Sequence, residues 1–237
     1  GPFSMTGQPN AMGGREVGGL ANQLAAHMDL ENENHRALVQ SFWNSPAIAN
    51  KSGLQAIDLL NAVERGEVKV IWIMATNPMV SLPDTKLIEK ALSKCDCVIV
   101  SDCIRKTDTS EYADILLPAL AWGEKDGTVT NSERRISRQK AFLPAPENAK
   151  PDWWIITEVA KRMGYADAFN YETAADIFRE HATLSGYQNK GQRDFDISGL
   201  SDLTNEEYNS LTPTIWPVNK GKTSKKMFSD GKFFHPN

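Results

Sequence analysis

Long apolar stretches are missing from this sequence: the longest unbroken run, Val70 to Ala75, is far too short to cross a bilayer. A basic excess is missing too. Lysine and arginine total 26 against 30 acidic residues, a formal net charge of -4, so no chain-wide nucleic-acid surface exists and any anion must be gripped locally. Cysteine is scarce. Cys95, Cys97 and Cys103 are an odd number whose spacing matches neither a zinc ribbon nor an iron–sulfur run, which favours a reducing, cytoplasmic compartment and buried packing roles. The four histidines, His27, His35, His181 and His235, show no ligand spacing and no partnered Ser or Cys, which argues against a metal centre or a triad. No initiator Met opens the chain and a Gly/Lys-rich stretch closes it, as expected of a piece of a longer polypeptide. What is present is globular: 237 residues, 41% hydrophobic and 24% charged, can bury a core and are not the composition of a disordered chain.

Along the chain, Thr6 to Gly19 holds five glycines and a proline, suited to an irregular loop rather than a helix. Leu54, Ile57, Leu60 and Val63 follow helical spacing, with Gly66 placed as a C-terminal cap. Val68 to Met74 then reads as a strand buried on both faces, as parallel sheets require. The pattern repeats. Asp84 caps a helix carrying Leu87, Ile88, Ala91 and Leu92, Cys97 to Val100 forms a second strand, and Ile115 to Pro118 forms a third. Strands alternating with helices predict a doubly wound, mostly parallel α/β sheet with flanking helices, Rossmann-like in type. Between Trp122 and Phe142 a polar stretch suggests a loop or hairpin. Asp152 is expected to cap a helix with Trp153, Ile156, Val159, Ala160 and Met163 on its buried side, closed by Gly164. Thr173 with Asp176 reads as a capping-box start to another helix, and from about Gly186 an irregular, partly mobile tail is expected. No internal repeat is present.

In a doubly wound sheet the ligand crevice lies outside the carboxyl ends of the strands. Three groups fall there: Thr76-Asn77-Pro78 with Ser81, then Ser101-Asp102, then Ala119 with Trp122. Asp102 suits a ribose hydroxyl or the donor edge of guanine, Asn77 a base edge, and Ser81 a phosphate or hydroxyl. The same residue types are common turn formers, and composition alone favours that role. Glu133-Arg134-Arg135 reads equally as a phosphate patch or a solvated face. From the residues themselves the conclusion is a nucleotide-like ligand on an α/β sheet.

The run Gly1 to Asn10 with Arg15-Glu16-Val17-Gly18 is followed by Thr76-Asn77-Pro78, Ser101-Asp102, the run Ala113 to Pro118 and the run Trp122 to Arg135. In this order they resemble the molybdopterin-guanine-dinucleotide oxidoreductases of the dimethyl-sulfoxide-reductase class. Phe178 to His181 and Arg193 to Ile197 look like the bacterial assimilatory nitrate reductases within it. The resemblance implies molybdenum held by two pterin guanine dinucleotides, nitrate as substrate, and electrons arriving from a donor protein or domain through a 4Fe-4S cluster. It places the cluster cysteines and the metal-ligating residue outside this chain, since Cys95, Cys97 and Cys103 match no such motif. It also implies that residues 1–185 form part of the dinucleotide-binding domain, that 186–237 lead towards a barrel-like domain, and that the chain alone does not reduce nitrate.

Carried over residue by residue, the family pattern assigns dinucleotide contacts to Asn77, Ser81, Asp102 and Asp152, and adds Thr76, Ser101 and Ala119. It sets the loop Thr6 to Arg15 at the molybdenum end, with Gln8 or Arg15 as donors to pterin or to the anionic substrate. Two rivals share the pattern: a formate dehydrogenase of the same class, and a non-catalytic electron-transfer scaffold like the large iron–sulfur subunit of respiratory complex I. The complete opening loop and the Thr130 to Arg135 run favour an enzyme over the scaffold.

Overall fold

The computed structural model describes residues 10–219 and Gly231. Eight α-helices and eight strands occur among them in chain order. They are α1 (Ala11–Glu16), β1 (Gln23–Leu24), β2 (Met28–Asp29), α2 (Glu33–Trp43), α3 (Ala56–Glu64), β3 (Val70–Met74), α4 (Pro78–Ser81) and α5 (Thr85–Lys94). Next come β4 (Cys97–Asp102), β5 (Ile115–Pro118), β6 (Gly127–Thr130), β7 (Arg135–Gln139), α6 (Asp152–Ala160), α7 (Ala174–Gly186), α8 (Asn205–Asn209) and β8 (Thr214–Ile215). The chain divides into two compact units. Unit 1 comprises residues 1–52, 127–139 and 172–237, and unit 2 comprises 53–126 and 140–171.

Unit 2 carries the parallel sheet that the sequence predicts. Its order is β3-β4-β5, with Val70 opposite Cys97, Ile99 opposite Ile115, and both pairings parallel. Ile71, Ile73, Val98 and Val100 point to the same core as Leu60 and Val63 of α3 and Ile88, Ala91 and Leu92 of α5. Alternation along each strand puts these residues on one face, and their burial holds the helices to the sheet. Asp84 caps α5 as expected, its Oδ1 accepting the Leu87 N–H at 3.2 Å. Gly66 takes φ +74° after α3, a conformation that suits glycine.

Four expectations are corrected in unit 2. β3 is buried on one face only, for Ile71 and Ile73 are covered while Val70 and Met74 are exposed. Asp152 is the first residue of α6 rather than its cap: Pro151 holds the cap position, and the carboxylate is taken by Lys125 at 2.6 Å. The buried side of α6 is Ile155 and Thr157, while Ile156 and Met163 are exposed. Beyond Ala160 the helix widens into a π-turn, Lys161–Tyr165, with Gly164 at φ +94°, and this break in helical periodicity turns Met163 outward. The cysteines are free and less buried than expected, because they flank the apolar heart of β4, Val98 and Val100, instead of forming it: Cys95 and Cys97 are half-buried and Cys103 is exposed.

Unit 1 is built round α7 and the antiparallel sheet β6-β7-β8. The stretch 122–142 does contain a hairpin, with Gly127 opposite Gln139 and Thr130 opposite Ile136. Asp176 accepts the Thr173 N–H at 2.8 Å at the start of α7, as the capping-box spacing predicts. Among the described residues after Gly186 the path is irregular, broken by a 3-10 turn (Ser198–Leu200), α8 and the two-residue β8. Irregular does not mean loose: Phe195, Ile197, Leu200, Tyr208 and Trp216 are buried in the core with Met28, Val39, Ile136, Phe178 and Ala182.

The opening glycine-rich segment departs from expectation, since Ala11–Glu16 is helical. Tertiary contacts override the poor helix propensity of two glycines. Thr130 of β6 clamps both ends of α1: its N–H donates to Asn10 Oδ1 at 2.9 Å and its hydroxyl to Glu16 Oε2 at 2.8 Å. The Trp216 indole N–H donates to Glu16 Oε1 at 2.7 Å, and the Ala26 N–H donates to the Glu16 carbonyl. Glu16, only 4% exposed, thereby joins three segments of the unit.

Candidate functional site

Parallel pairing fixes which residues share the carboxyl edge of the unit 2 sheet. Met74 lies opposite Ser101 and Ser101 opposite Leu117, with Asp102 opposite Pro118 one step further. The loops carrying Asn77 and Asp102 therefore leave neighbouring strands at the same edge, about 4.8 Å apart where the strands end. Just past β3, Ala75 takes φ +52°, an uncommon backbone for a residue with a Cβ, and its N–H donates to the Ser101 carbonyl at 2.9 Å. This turn points the chain into Thr76, which is exposed, and Asn77, which is half-buried.

Asn77 Oδ1 accepts from the Thr109 hydroxyl at 2.6 Å and from the Thr109 N–H at 3.3 Å. A backbone N–H needs an acceptor, so the amide orientation is set and the NH2 is turned away from Thr109. The Thr109 hydroxyl also accepts the Met79 N–H at 3.2 Å. Thr109, fully buried, therefore ties the loop after β3 to the loop after β4. Sequence reading missed it, for nothing marks one threonine in a polar run as a tie between loops. Ser81 is exposed at the end of α4.

Ser101 is 2% exposed, and its hydroxyl accepts the Trp72 indole N–H at 2.7 Å, so it sits at the edge while bracing the sheet. Asp102 is half-buried, and its Oδ1 accepts the Ile104 N–H at 2.8 Å. The Cys103 thiol beside it is pushed up by burial and by the Asp102 carboxylate, and Lys125 acts on the same thiol in the opposite sense. Lys125 therefore lies close to the end of β4 and bonds Asp152 there; it is a second residue that sequence reading did not single out. Ala119 is buried and pairs in a single parallel bridge with Lys150, which leads directly into Asp152 and α6. Trp122 is exposed.

The remaining sequence candidates lie in unit 1 or outside the described residues. The Arg15 side chain is exposed on α1 and lies near enough to His27 to hold its imidazole down. Gln8 and His235 fall outside the described residues. The Glu133-Arg134-Arg135 run resolves into two roles: Glu133 and Arg135 form a surface ion pair at 2.9 Å, while Arg134 donates to the Trp216 carbonyl at 2.8 Å and lies over its ring. Among the described residues no three His, Cys, Asp or Glu side chains form a group able to hold a metal ion, and no helix is long and apolar enough to cross a membrane.

The sequence profile of molybdopterin oxidoreductases matches residues 4–162 of this chain, covering all of the strand-end edge. The chain belongs to the molybdopterin oxidoreductase family. Its relatives include a nitrate reductase of Klebsiella oxytoca, 54% identical over 98% of this chain, and one of Synechocystis, 41% identical over 98%. A formate dehydrogenase alpha subunit of Methanocaldococcus jannaschii is 39% identical over 74% of the chain. The chain spans 27%, 33% and 25% of these three relatives, about a quarter to a third of their length. Among solved structures, acetylene hydratase from Pelobacter acetylenicus superimposes with a TM-score of 0.56 at 20% identity, covering 71% of this chain and 22% of that one, a likeness of fold.

Proposed function

We propose that the carboxyl edge of the unit 2 sheet seats the guanosine end of a molybdopterin guanine dinucleotide in an enzyme that reduces nitrate to nitrite. The observation that carries this is that β3 and β4 end side by side, Met74 opposite Ser101, with Asn77 on the loop after the first, Asp102 at the end of the second and the Lys125–Asp152 pair nearby. The donor set fits such a group. An amide and a carboxylate suit a base edge, Thr76 and Ser81 offer hydroxyls, and the Lys125 ammonium offsets the Asp102 and Asp152 carboxylates where a phosphate approaches. Ser101 holds the edge rigid through Trp72, and Asp152 doubles as the partner that orients Lys125.

When bound, the molybdenum group supplies two-electron oxygen-atom transfer. This chain's part is to bind and orient. Gln8 and Arg15 are assigned to the pterin end, Arg15 offering donors to an oxyanion. A 4Fe-4S cluster, an electron donor and the metal's protein ligand are assigned to other parts of the polypeptide or its partners, in the cytoplasm. Residues 1–185 are taken as part of the dinucleotide-binding domain and 186–237 as a connector. The chain by itself is then inactive towards nitrate. Formate oxidation is the second reading, favoured by the 39% identical formate dehydrogenase; the higher identity to nitrate reductases over nearly the whole chain favours nitrate.

The test is cofactor retention. In the molybdenum-loaded enzyme, Asp102→Ala and Asn77→Ala are each expected to lower bound guanosine nucleotide, measured after acid release, about tenfold, which corresponds to roughly 1.4 kcal/mol. The far-ultraviolet circular dichroism stays that of the wild type. Unchanged nucleotide content in both variants would refute the assignment.

A further inference from the structure

We propose that Thr109 is a positioning residue: by occupying the amide oxygen of Asn77 it makes that side chain a donor, so Asn77 meets the nucleotide through its NH2 and an acceptor atom of the ligand. This rests on the cofactor reading above and adds the residue that decides which half of the amide the ligand meets. An asparagine is two-faced, since its oxygen accepts, its nitrogen donates, and half a turn about χ2 exchanges them. Thr109 removes that freedom. Its hydroxyl and its backbone N–H both donate to Asn77 Oδ1, at 2.6 Å and 3.3 Å, which fills both lone pairs of the oxygen. In the exchanged orientation the Asn77 nitrogen would face the Thr109 N–H, which has no way to accept.

The lock is itself held in place. The Thr109 hydroxyl accepts the Met79 N–H at 3.2 Å, so its single proton goes to Asn77. Thr109 is fully buried, which strengthens both bonds. Its carbonyl accepts the Tyr112 N–H at 3.1 Å. Around it Thr107 and Ser110 exchange bonds, the Thr107 N–H donating to Ser110 Oγ at 2.7 Å and the Ser110 N–H to Thr107 Oγ1 at 3.1 Å. On the other loop Pro78 restricts the backbone of Asn77, whose carbonyl accepts the Val80 and Ser81 N–H groups at 3.0 and 2.9 Å. Main chain and amide of Asn77 are thus fixed independently, and all of these residues belong to unit 2. Pairing with the outer edge of adenine takes an amide that both accepts and donates, whereas guanine offers two acceptors on the corresponding edge. A donor-only asparagine suits guanine and cannot make the paired bonds that adenine requires.

The experiment measures guanosine nucleotide released by acid from the molybdenum-loaded enzyme. Thr109→Val removes the hydroxyl and is expected to lower retained nucleotide roughly three- to tenfold, the effect of one hydrogen bond. Thr109→Ser keeps the hydroxyl and the wild-type content. When Thr109→Val is combined with Asn77→Ala, the loss is expected to equal that of Asn77→Ala alone, because Thr109 acts through the amide that is no longer there. Asn77→Asp can still accept both Thr109 bonds but lacks the NH2, so its content falls as far as that of Asn77→Ala. Losses that multiply in the double variant would show that Thr109 only props the loops. Equal losses for the Val and Ser variants would show that its hydroxyl is not the group, and full content in Thr109→Val or Asn77→Asp would show that the amide needs no lock or does not donate. Each of these overturns the inference while the Asn77 and Asp102 assignments stand. Should Thr109→Val fail to fold, Asn77→Asp decides: a loss supports the donor role and full content ends it. Full content in Asn77→Ala, or a wild-type enzyme that carries no guanosine nucleotide, would overturn the inference and the Asn77 assignment together.

Discussion

Glu16→Ala is expected to destabilise unit 1 by about 3 kcal/mol, because it strands two buried donors, the Trp216 indole N–H and the Thr130 hydroxyl, at about 1–3 kcal/mol each. Guanidinium unfolding measures this as a lower midpoint. Glu16→Gln separates hydrogen bonding from charge. Burial pushes the Glu16 carboxyl above its ordinary range, with the Thr130 and Trp216 hydrogen bonds working against that rise. A folded-state value raised above the unfolded one gives stability that is complete below the unfolded value and is lost as pH rises through the folded value. Glutamine can still accept from the indole and donate to the threonine, and it carries no charge at any pH. The Gln variant should therefore match the wild type in acid and exceed it near neutrality. Equal pH profiles for the two proteins would show that Glu16 is ionised at no net penalty.

The second large effect has the opposite pH sign. His181 of α7 packs against Phe195 at 5.3 Å between ring centres, and His27 meets the same phenyl ring at 5.2 Å. The Nε2 of His181 is enclosed and has no partner among the described residues. Burial, reinforced by His27, pushes the His181 imidazole down to about 4. His27 itself is held low by burial and then by Arg15. A depressed folded value gives stability that is complete above the ordinary histidine value of 6.5 and is lost as pH falls towards 4, for a total of about 3 kcal/mol from His181. His181→Leu should flatten this loss between pH 6.5 and 4 in denaturant titrations. If the variant softens as steeply in acid as the wild type, His181 is not the group responsible.

The sheet of unit 2 was legible because its strands are short apolar runs bounded by helix caps: Val70–Met74, Cys97–Asp102 and Ile115–Pro118 need no distant partner to be recognised. The same local grammar singles out Asn77 and Asp102 as candidates, since strand ends in a parallel sheet fix where a crevice can form. What local grammar could not show was anything closed by a distant residue. α1 looked like a loop because its glycines disfavour a helix, and the forces that hold it come from Thr130 and Trp216. Asp152 looked like a cap until Lys125 claimed its carboxylate. Thr109 and Lys125 were invisible for a related reason, because each acts through a partner on another loop. The buried side of α6 was misread because a π-turn breaks the period on which helical faces are counted.

The Glu16–Trp216 bond spans 200 residues, whereas β3, β4 and β5 all lie between Val70 and Pro118. As the polypeptide leaves the ribosome, the unit 2 sheet can assemble while the carboxylate of Glu16 still awaits its indole. Closing so long a loop is a late and slow event. The birth order of the two units is thus written into the chain: α1 locks only when translation has passed Trp216.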